Sequence, residues 1–319
     1  MLNTHNVKPT TNDRISVIMP CYNAEAYLAD TIASVFKQSH PYIELIVVDD
    51  GSTDKSPEIL SNLNQQYPEL TVFYQKNQGP YPARNFALQH SRGDFIAFMD
   101  TDDYWTPDCL EKLYNSLINN NADLSYCGWQ NIIENSINSP PYIPPAYEQE
   151  DIFVSFLKSC PWPIHAVLTR RKIIDKLNGF STHCFSSMDY DFWIRLSAVT
   201  QNIILVPEVL AFYRWHNHGQ ISSVKWKQVL NARIVRKNFI QNHSRLVSHI
   251  PKSELTYLLN DQISTQAYVA FWKRDLNSAQ HLFRAMLRIG YWQIKDLKYI
   301  ILSLLPIKIF KKIILFLDK

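Results

Sequence analysis

Glycine is scarce, 7 residues in a chain of 319, well below the usual share of about 7%. That excludes collagen-like repeats and glycine-rich linkers. The turn Gly-x-Gly-x-x-Gly, with which a dinucleotide-binding sheet grips a pyrophosphate, is missing after the first apolar run; Pro20-Cys21-Tyr22-Asn23 stands there instead. A dehydrogenase is therefore disfavoured. The five cysteines, Cys21, Cys109, Cys127, Cys160 and Cys184, are scattered, odd in number and never spaced Cys-x-x-Cys. Neither a zinc site nor a disulfide framework follows, and a reducing compartment suits them best. A net charge of +3 is too small to argue for nucleic acid. No apolar run is long and uncharged enough to span a bilayer. Residues 1–14 are polar, lack the apolar centre of a signal peptide and read as a flexible arm. The expectation is a cytoplasmic protein. With 46% hydrophobic and 13% aromatic residues, it has ample material for a core.

What the chain has is an acidic cluster in a telling place. Asp100-Thr101-Asp102-Asp103 follows the apolar run Phe95–Met99 and precedes Tyr104-Trp105-Thr106-Pro107. A short apolar run closed by polar residues reads as a buried parallel strand, and Thr106-Pro107 as the N-cap and first position of a helix. The carboxylates then sit on the loop leaving a strand's C-terminal edge, where open α/β sheets bind ligands. Acids so close repel one another and call for a counter-charge. A cation that prefers oxygen, Mg²⁺ or Mn²⁺, supplies it and commonly bridges carboxylate to phosphate. A solvated, helix-capping acidic turn is the plain alternative.

The same strand–helix rhythm runs through the first half. Ile15–Met19, Glu44–Val48 and Leu70–Tyr74 read as strands, separated by a helix from Glu25 with Leu28, Ile32, Val35 and Phe36 on one face, and another after Pro57. A third helix follows Gly79-Pro80, and Asp123–Gly128 reads as a further strand. This alternation predicts an α/β fold, a mostly parallel sheet flanked by helices with right-handed crossovers. Ser139–Pro145 holds four prolines and reads as an exposed loop, either a connector or a flap over the site. Beyond it lie a helix near Ile152–Lys158, a strand near Ile164–Thr169, helices from Arg171 and near Asp189, and two strands, Ile203–Val206 and Val209–Arg214. From Val224 the pattern is helical to the end, a C-terminal appendage. Its last part mixes apolar residues with Lys295, Lys298, Lys308, Lys311, Lys312 and Lys319. It suits either a membrane-surface anchor or packing onto the rest of the chain or a second subunit.

Taken in order, Ile15–Asn23, Asp49–Asp54, Asn77–Asn85 (Asn-Gln-Gly-Pro-Tyr-Pro-Ala-Arg-Asn), Asp100–Asp103, Met188–Leu196 and Ala211–His216 resemble the motif series of family 2 glycosyltransferases. The resemblance covers about residues 15–223 and implies a catalytic domain there, with a donor half at 15–130, an acceptor half at 131–223 and a helical region at 224–319. It implies an inverting, metal-dependent enzyme that moves a sugar from a nucleotide diphosphate, by preference a UDP-sugar, to a hydroxyl of a glycan. The glycan would be lipid-linked, part of a cell-surface polysaccharide, and met at the inner face of the membrane.

The roles implied fall on particular residues. Pro20, Tyr22 and Asn23 open the donor site, Tyr22 offering an aromatic face to the base or ribose. Asp50 accepts hydrogen bonds from the base, and Asp49 orders its loop. Arg84 meets phosphate, sugar hydroxyls or a neighbouring aspartate. Asp100 holds ribose or sugar hydroxyls, Asp102 the metal, and Asp103 is a substitute or second ligand. Asp189 is the expected base and Asp191 its rival, since Met188 stands where many members carry Glu or Gln. His216 reaches the pyrophosphate or metal. Trp162 and Trp193 are candidates for stacking on an acceptor sugar, although core packing suits them better. Two other functions stay open: a non-catalytic sugar-nucleotide or glycan-binding protein on the same fold, and transfer to polyprenol phosphate.

Overall fold

The computed structural model describes residues 9–11, 13–133, 139–181, 186–215 and 225–317, the last three of these for backbone only. The described residues fall into two compact units divided near residue 218, with Ser186 and Ser187 belonging to the second.

The first unit begins with β1 (Ile15–Cys21), α1 (Leu28–Phe36), β2 (Ile43–Asp49), α2 (Ser56–Gln66), β3 (Leu70–Tyr74), α3 (Pro80–His90) and β4 (Phe95–Phe98). All residues of β1, β2 and β4 are buried. Their largely apolar sequences suit strands covered on both faces, and the buried polar residues Ser16 and Glu44 satisfy each other, the Ser16 hydroxyl donating to Glu44 at 2.5 Å. β1 pairs in parallel with β2 and β4, and β2 with β3. All four strands therefore leave the sheet at one edge.

The unit continues with β5 (Tyr104–Trp105), α4 (Cys109–Asn119), β6 (Leu124–Ile133), α5 (Ile152–Lys158), β7 (Val167–Arg170), α6 (Arg171–Leu177), α7 (Met188–Val199) and β8 (Ile203–Trp215). The strands form one sheet ordered β3-β2-β1-β4-β7-β6-β8-β5. The α/β class is as expected, but the sheet is mixed. β7 runs antiparallel to β4 and β6, and β5 antiparallel to β8. Strand direction follows from which connections are crossovers, and residue pattern alone does not reveal that. The sheet also runs unbroken across residue 130, through β6, so the donor and acceptor halves share one frame.

Three local differences have clear causes. The helix expected at Thr106-Pro107 starts at Cys109, because the Thr106 N–H bonds to the Leu210 carbonyl and belongs to the sheet. The two strands expected at 203–214 are a single β8, with Pro207 accommodated where the register slips between Cys127 and Gly128. The proline-rich loop is tied down where it is described: Trp129 and Tyr142 exchange backbone hydrogen bonds of 2.9 Å in each direction.

The second unit holds α8 (Lys225–Asn242), α9 (Lys252–Trp272), α10 (Leu276–Ile289), α11 (Leu297–Ser303) and α12 (Ile307–Leu317). Ile263, Ala267 and Phe271 pack with Leu282, Phe283 and Met286, and with Ile300, Phe310 and Ile314 from the last two helices. Among the described residues no helix is long and apolar enough to cross a membrane.

Candidate active site

The parallel strands end in loops that lace together. Asn23 has positive φ (49°), a conformation asparagine tolerates. Its side-chain oxygen accepts from the Thr53 N–H at 2.8 Å, and its own N–H donates to Ser52 Oγ at 2.9 Å. Asp49 accepts from the Ser52 N–H and hydroxyl, which is the loop-ordering role expected of it. Pro20 is buried within β1. Tyr22, 52% exposed, presents its ring beside these loops.

Asp50 is buried and more engaged than a base-reading residue needs to be. It accepts from Gln75 Nε2 (2.7 Å), the Gln78 N–H (2.8 Å) and the Gly79 N–H (2.7 Å). A carboxylate offers about four acceptor positions, so one is left. Gly79 has φ 97°, open to glycine at little cost, and hands the chain to Pro80 at the start of α3.

One turn into α3, Arg84 is buried and paired with Asp100 at the end of β4. Its guanidinium lies 5.3 Å from the Tyr81 ring centre and 5.8 Å from that of Phe180. Asp189, in the first turn of α7, belongs to the same cluster. Burial raises its carboxyl above the ordinary range, the Tyr190 N–H (2.8 Å) and the Arg84 charge pull it down, and the Asp100 charge pushes it up again. Tyr81 is raised by burial and then by the Asp189 charge. A half-buried carboxylate with a raised pKa, in the field of a cation–carboxylate pair, has the chemistry to take a proton.

Asp191 is placed otherwise. Two positions along a helix amount to roughly 200° of turn, and its carboxylate meets Arg195 Nε at 2.8 Å. Arg195 also donates to the carbonyls of Leu177 and Gly179, both at 3.0 Å. This set ties α7 to the end of α6.

The acidic loop does not form a cage. Asp100 is bound to Arg84. Asp103 is fully buried; it accepts from the Arg214 N–H at 2.9 Å and lies 3.0 Å from His165 Nδ1. Burial raises Asp103 to about 6. Burial opposes charge on His165, but Asp103, Asp100 and Asp102 outweigh it and the imidazole is raised. Asp102 is half-buried, its carbonyl accepting from Arg214 Nε at 3.0 Å. Among the described residues no three acidic, histidine or cysteine side chains converge on a cation position. One carboxylate with access to solvent still fits a cation that takes its remaining oxygens from phosphate and water, the usual manner of Mg²⁺.

The structure thus pairs Arg84 with Asp100, sets Asp189 within the field of both, and separately joins Asn23 to the loop after Asp49. It gives Asp103 and Asp191 protein partners. Trp162 and Trp193 are fully buried in the core. His216 lies outside the described residues. The sequence reading missed His165, Tyr81 and Arg214 as site-building residues. It missed Thr31 as well, whose hydroxyl lies 2.9 Å from the carbonyls of both Thr101 and Asp103. Tyr81 and Arg214 stood in recognisable motifs, Asn77–Asn85 and Ala211–His216; His165 and Thr31 did not.

The sequence matches the family model described as Glycosyl transferase family 2 over residues 16–188. An uncharacterized glycosyltransferase of Haemophilus influenzae is 34% identical, the match covering 68% of this chain and 84% of that one. WfgD of Escherichia coli, named as a UDP-Glc:alpha-D-GlcNAc-diphosphoundecaprenol beta-1,3-glucosyltransferase, is 33% identical over 77% of this chain and 91% of its own. Among solved structures, S. aureus TarS in complex with UDP-GlcNAc superposes with a TM-score of 0.63 at 19% identity, covering 85% of this chain and 81% of that one. The Pyrobaculum calidifontis mannosyltransferase PcManGT, in complex with GDP-Man and Mn²⁺, gives 0.57 at 17% identity, covering 98% and 90%. At such identities the two structures speak for the fold.

Proposed function

The chain belongs to glycosyl transferase family 2, and from that premise we propose that it transfers a sugar, with inversion, from a UDP-sugar to a hydroxyl of a lipid-linked glycan in cell-surface polysaccharide synthesis. The observation that carries this reading is the Arg84–Asp100 pair at the edge where the parallel strands end, with both of its charges acting on the carboxyl of Asp189.

The nucleotide lies along the laced loops. Tyr22 covers the base or ribose, and Asp50 uses its remaining acceptor position for the base while holding the 75–79 loop in place. Asp100, its charge balanced by Arg84, accepts from ribose or sugar hydroxyls. Asp102 would hold Mn²⁺ or Mg²⁺ together with diphosphate oxygens; when bound, the cation supplies positive charge to the leaving diphosphate. Asp189 accepts the proton of the attacking hydroxyl as the new carbon–oxygen bond forms and the bond to the diphosphate breaks. Asp191 is left to position α7. UDP specificity is supported by the UDP-Glc named for WfgD and the UDP-GlcNAc bound to TarS, and metal use by the Mn²⁺ bound to PcManGT.

The lipid-linked acceptor is supported by WfgD's named acceptor and by the helical unit. Ile294 (85% exposed), Ile301 (61%) and Leu304 (56%) stand among Lys295, Lys298 and Lys308. Exposed apolar side chains beside lysines suit the anionic cytoplasmic face of a membrane.

The test is calorimetry with UDP, with and without Mn²⁺. UDP should bind, more tightly with Mn²⁺, and Asp102→Ala should abolish the metal's effect. No UDP binding under either condition would overturn the nucleotide assignment, and an unchanged metal effect in Asp102→Ala would overturn that ligand.

A further inference from the structure

A second recess in the sheet unit has the chemistry of a saccharide subsite. It measures about 310 Å³ and is lined by Trp129 and Asn131 of β6, by Ser139 and Tyr142 of the proline-rich loop, by Tyr147, and by Ser159 to Pro161 after α5. That volume is at the low end for small-molecule sites, roughly 300–1,000 Å³, so it suits a single ring. Trp129 and Tyr142 stand edge to face with ring centres 4.7 Å apart. Tyr142 is 48% exposed, so its ring remains open to a ligand. Around these rings are Asn131, Ser159 and Ser139; the Ser139 hydroxyl already donates to the Asn131 carbonyl at 3.2 Å and accepts from the Asn131 N–H at 3.1 Å, so to a ligand it offers only a remaining acceptor position. A pyranose presents an apolar C–H face and a rim of hydroxyls, and needs aromatic rings together with amide and hydroxyl groups.

The recess is held by backbone and side-chain hydrogen bonds. Besides the Trp129–Tyr142 exchange, the Ser139 N–H bonds to the Asn131 carbonyl (3.1 Å) and Gln130 Nε2 to the Ser139 carbonyl (2.8 Å). The close approach requires Gly128: a Cβ there would stand 2.7 Å from the Tyr142 carbonyl oxygen. The described part of the proline-rich loop, bonded to β6, forms one wall of the recess.

The recess is also coupled to the proposed base. The 159–161 wall follows α5, and α5 is pinned to α7 by the Tyr190 hydroxyl donating to the Phe156 carbonyl at 2.7 Å. Trp162, next in the chain, packs on Trp193 of α7 with ring centres 5.9 Å apart. Burial raises the Cys160 thiol, and the charge of the Asp189 carboxylate raises it further.

We infer that this recess binds a pyranose ring of the acceptor glycan, stacked on Trp129 and Tyr142 and held by Asn131, Ser139 and Ser159, so that the next hydroxyl is delivered toward Asp189. The inference rests on the glycosyltransferase reading and on Asp189 as base. Trp129 and Tyr142 are acceptor-binding residues, so donor binding does not depend on them.

The experiment is ligand-observed saturation-transfer NMR with the methyl β-glycosides of glucose, galactose and N-acetylglucosamine on the full chain, alongside UDP calorimetry. At least one glycoside should receive saturation on its ring protons. Its dissociation constant should rise about tenfold or more in Trp129→Ala and in Tyr142→Ala, with UDP affinity within about twofold of the unaltered protein. Tyr142 is exposed and its backbone bonds survive substitution, so that variant tests the site even if Trp129→Ala folds poorly. The inference is overturned if no glycoside binds, if binding survives both substitutions, or if UDP affinity falls in step with glycoside affinity, which would make the recess part of the donor site. Failure of UDP to bind the unaltered protein sinks the nucleotide-sugar reading instead, and the glycoside titration still decides the recess.

Discussion

Asp103 and His165 face each other 3.0 Å apart, Oδ2 to Nδ1, and neither side chain is exposed at all. They are 62 positions apart in the chain, one on the acidic loop and one just before β7. The Trp105 Nε1–H donates to the His165 carbonyl at 2.7 Å, and the Arg214 N–H to Asp103. The loop that carries the proposed cation ligand is therefore seated on a buried acid–imidazole contact.

Removing the imidazole leaves a buried carboxylate short of its partner. His165→Ala should lose about 3–5 kcal/mol of stability, the range for breaking a buried pair from one side. Urea unfolding of the variant beside the unaltered protein measures this. A loss below about 1 kcal/mol would show that the contact does not hold the loop.

Asp189→Asn keeps the shape of the side chain and removes its capacity to take a proton. Transfer should fall by about 10²–10⁴, the usual worth of a positioned general base, with UDP affinity unchanged. Asp191→Asn should instead act through its contact with Arg195, lowering thermal stability more than turnover. Paired kinetics and melting curves separate the two aspartates. The reverse pattern would move the base to Asp191.

The raised carboxyl of Asp189 fixes a sign for the pH dependence. Transfer needs the ionised form, so the rate should fall as pH drops through a value above the ordinary carboxylate range of about 4. The Arg84 charge holds that value down. Arg84→Met should therefore move the acidic limb of kcat to higher pH. A limb that stays in place, or moves down, would detach Arg84 from the proposed base.

The helical tail calls for point substitutions. Ile300, Phe310 and Ile314 belong to the core of the second unit, so deleting residues 291–319 would expose that core and blur any change in partition. Ile301→Glu with Leu304→Glu alters only exposed positions. The double variant should bind vesicles of mixed neutral and anionic lipid at least about tenfold more weakly, from lost apolar burial and added negative charge, at an unchanged melting temperature. Sedimentation with vesicles reads the outcome, and equal binding by both proteins would remove this face from the membrane.

The sequence alone settled what each segment is made of. Largely apolar runs at 15–19, 44–48 and 95–99, interrupted only by Ser16 and Glu44, read as buried strands, and polar residues close each of them. The order of the motifs identified the family. Which acid meets which partner was decided by the tertiary structure alone. Asp100, Asp102 and Asp103 are nearly equivalent as letters, yet one meets Arg84 from α3, one is half-exposed, and one is buried against His165 and Arg214. Asp189 and Asp191 part company by the turn of a helix and the burial around its first residues. Strand direction beyond β4 and the recess beneath Tyr142 likewise depend on contacts between distant segments. Local pattern records a residue's own preference for burial; it does not record the neighbour that arrives from sixty or a hundred positions away.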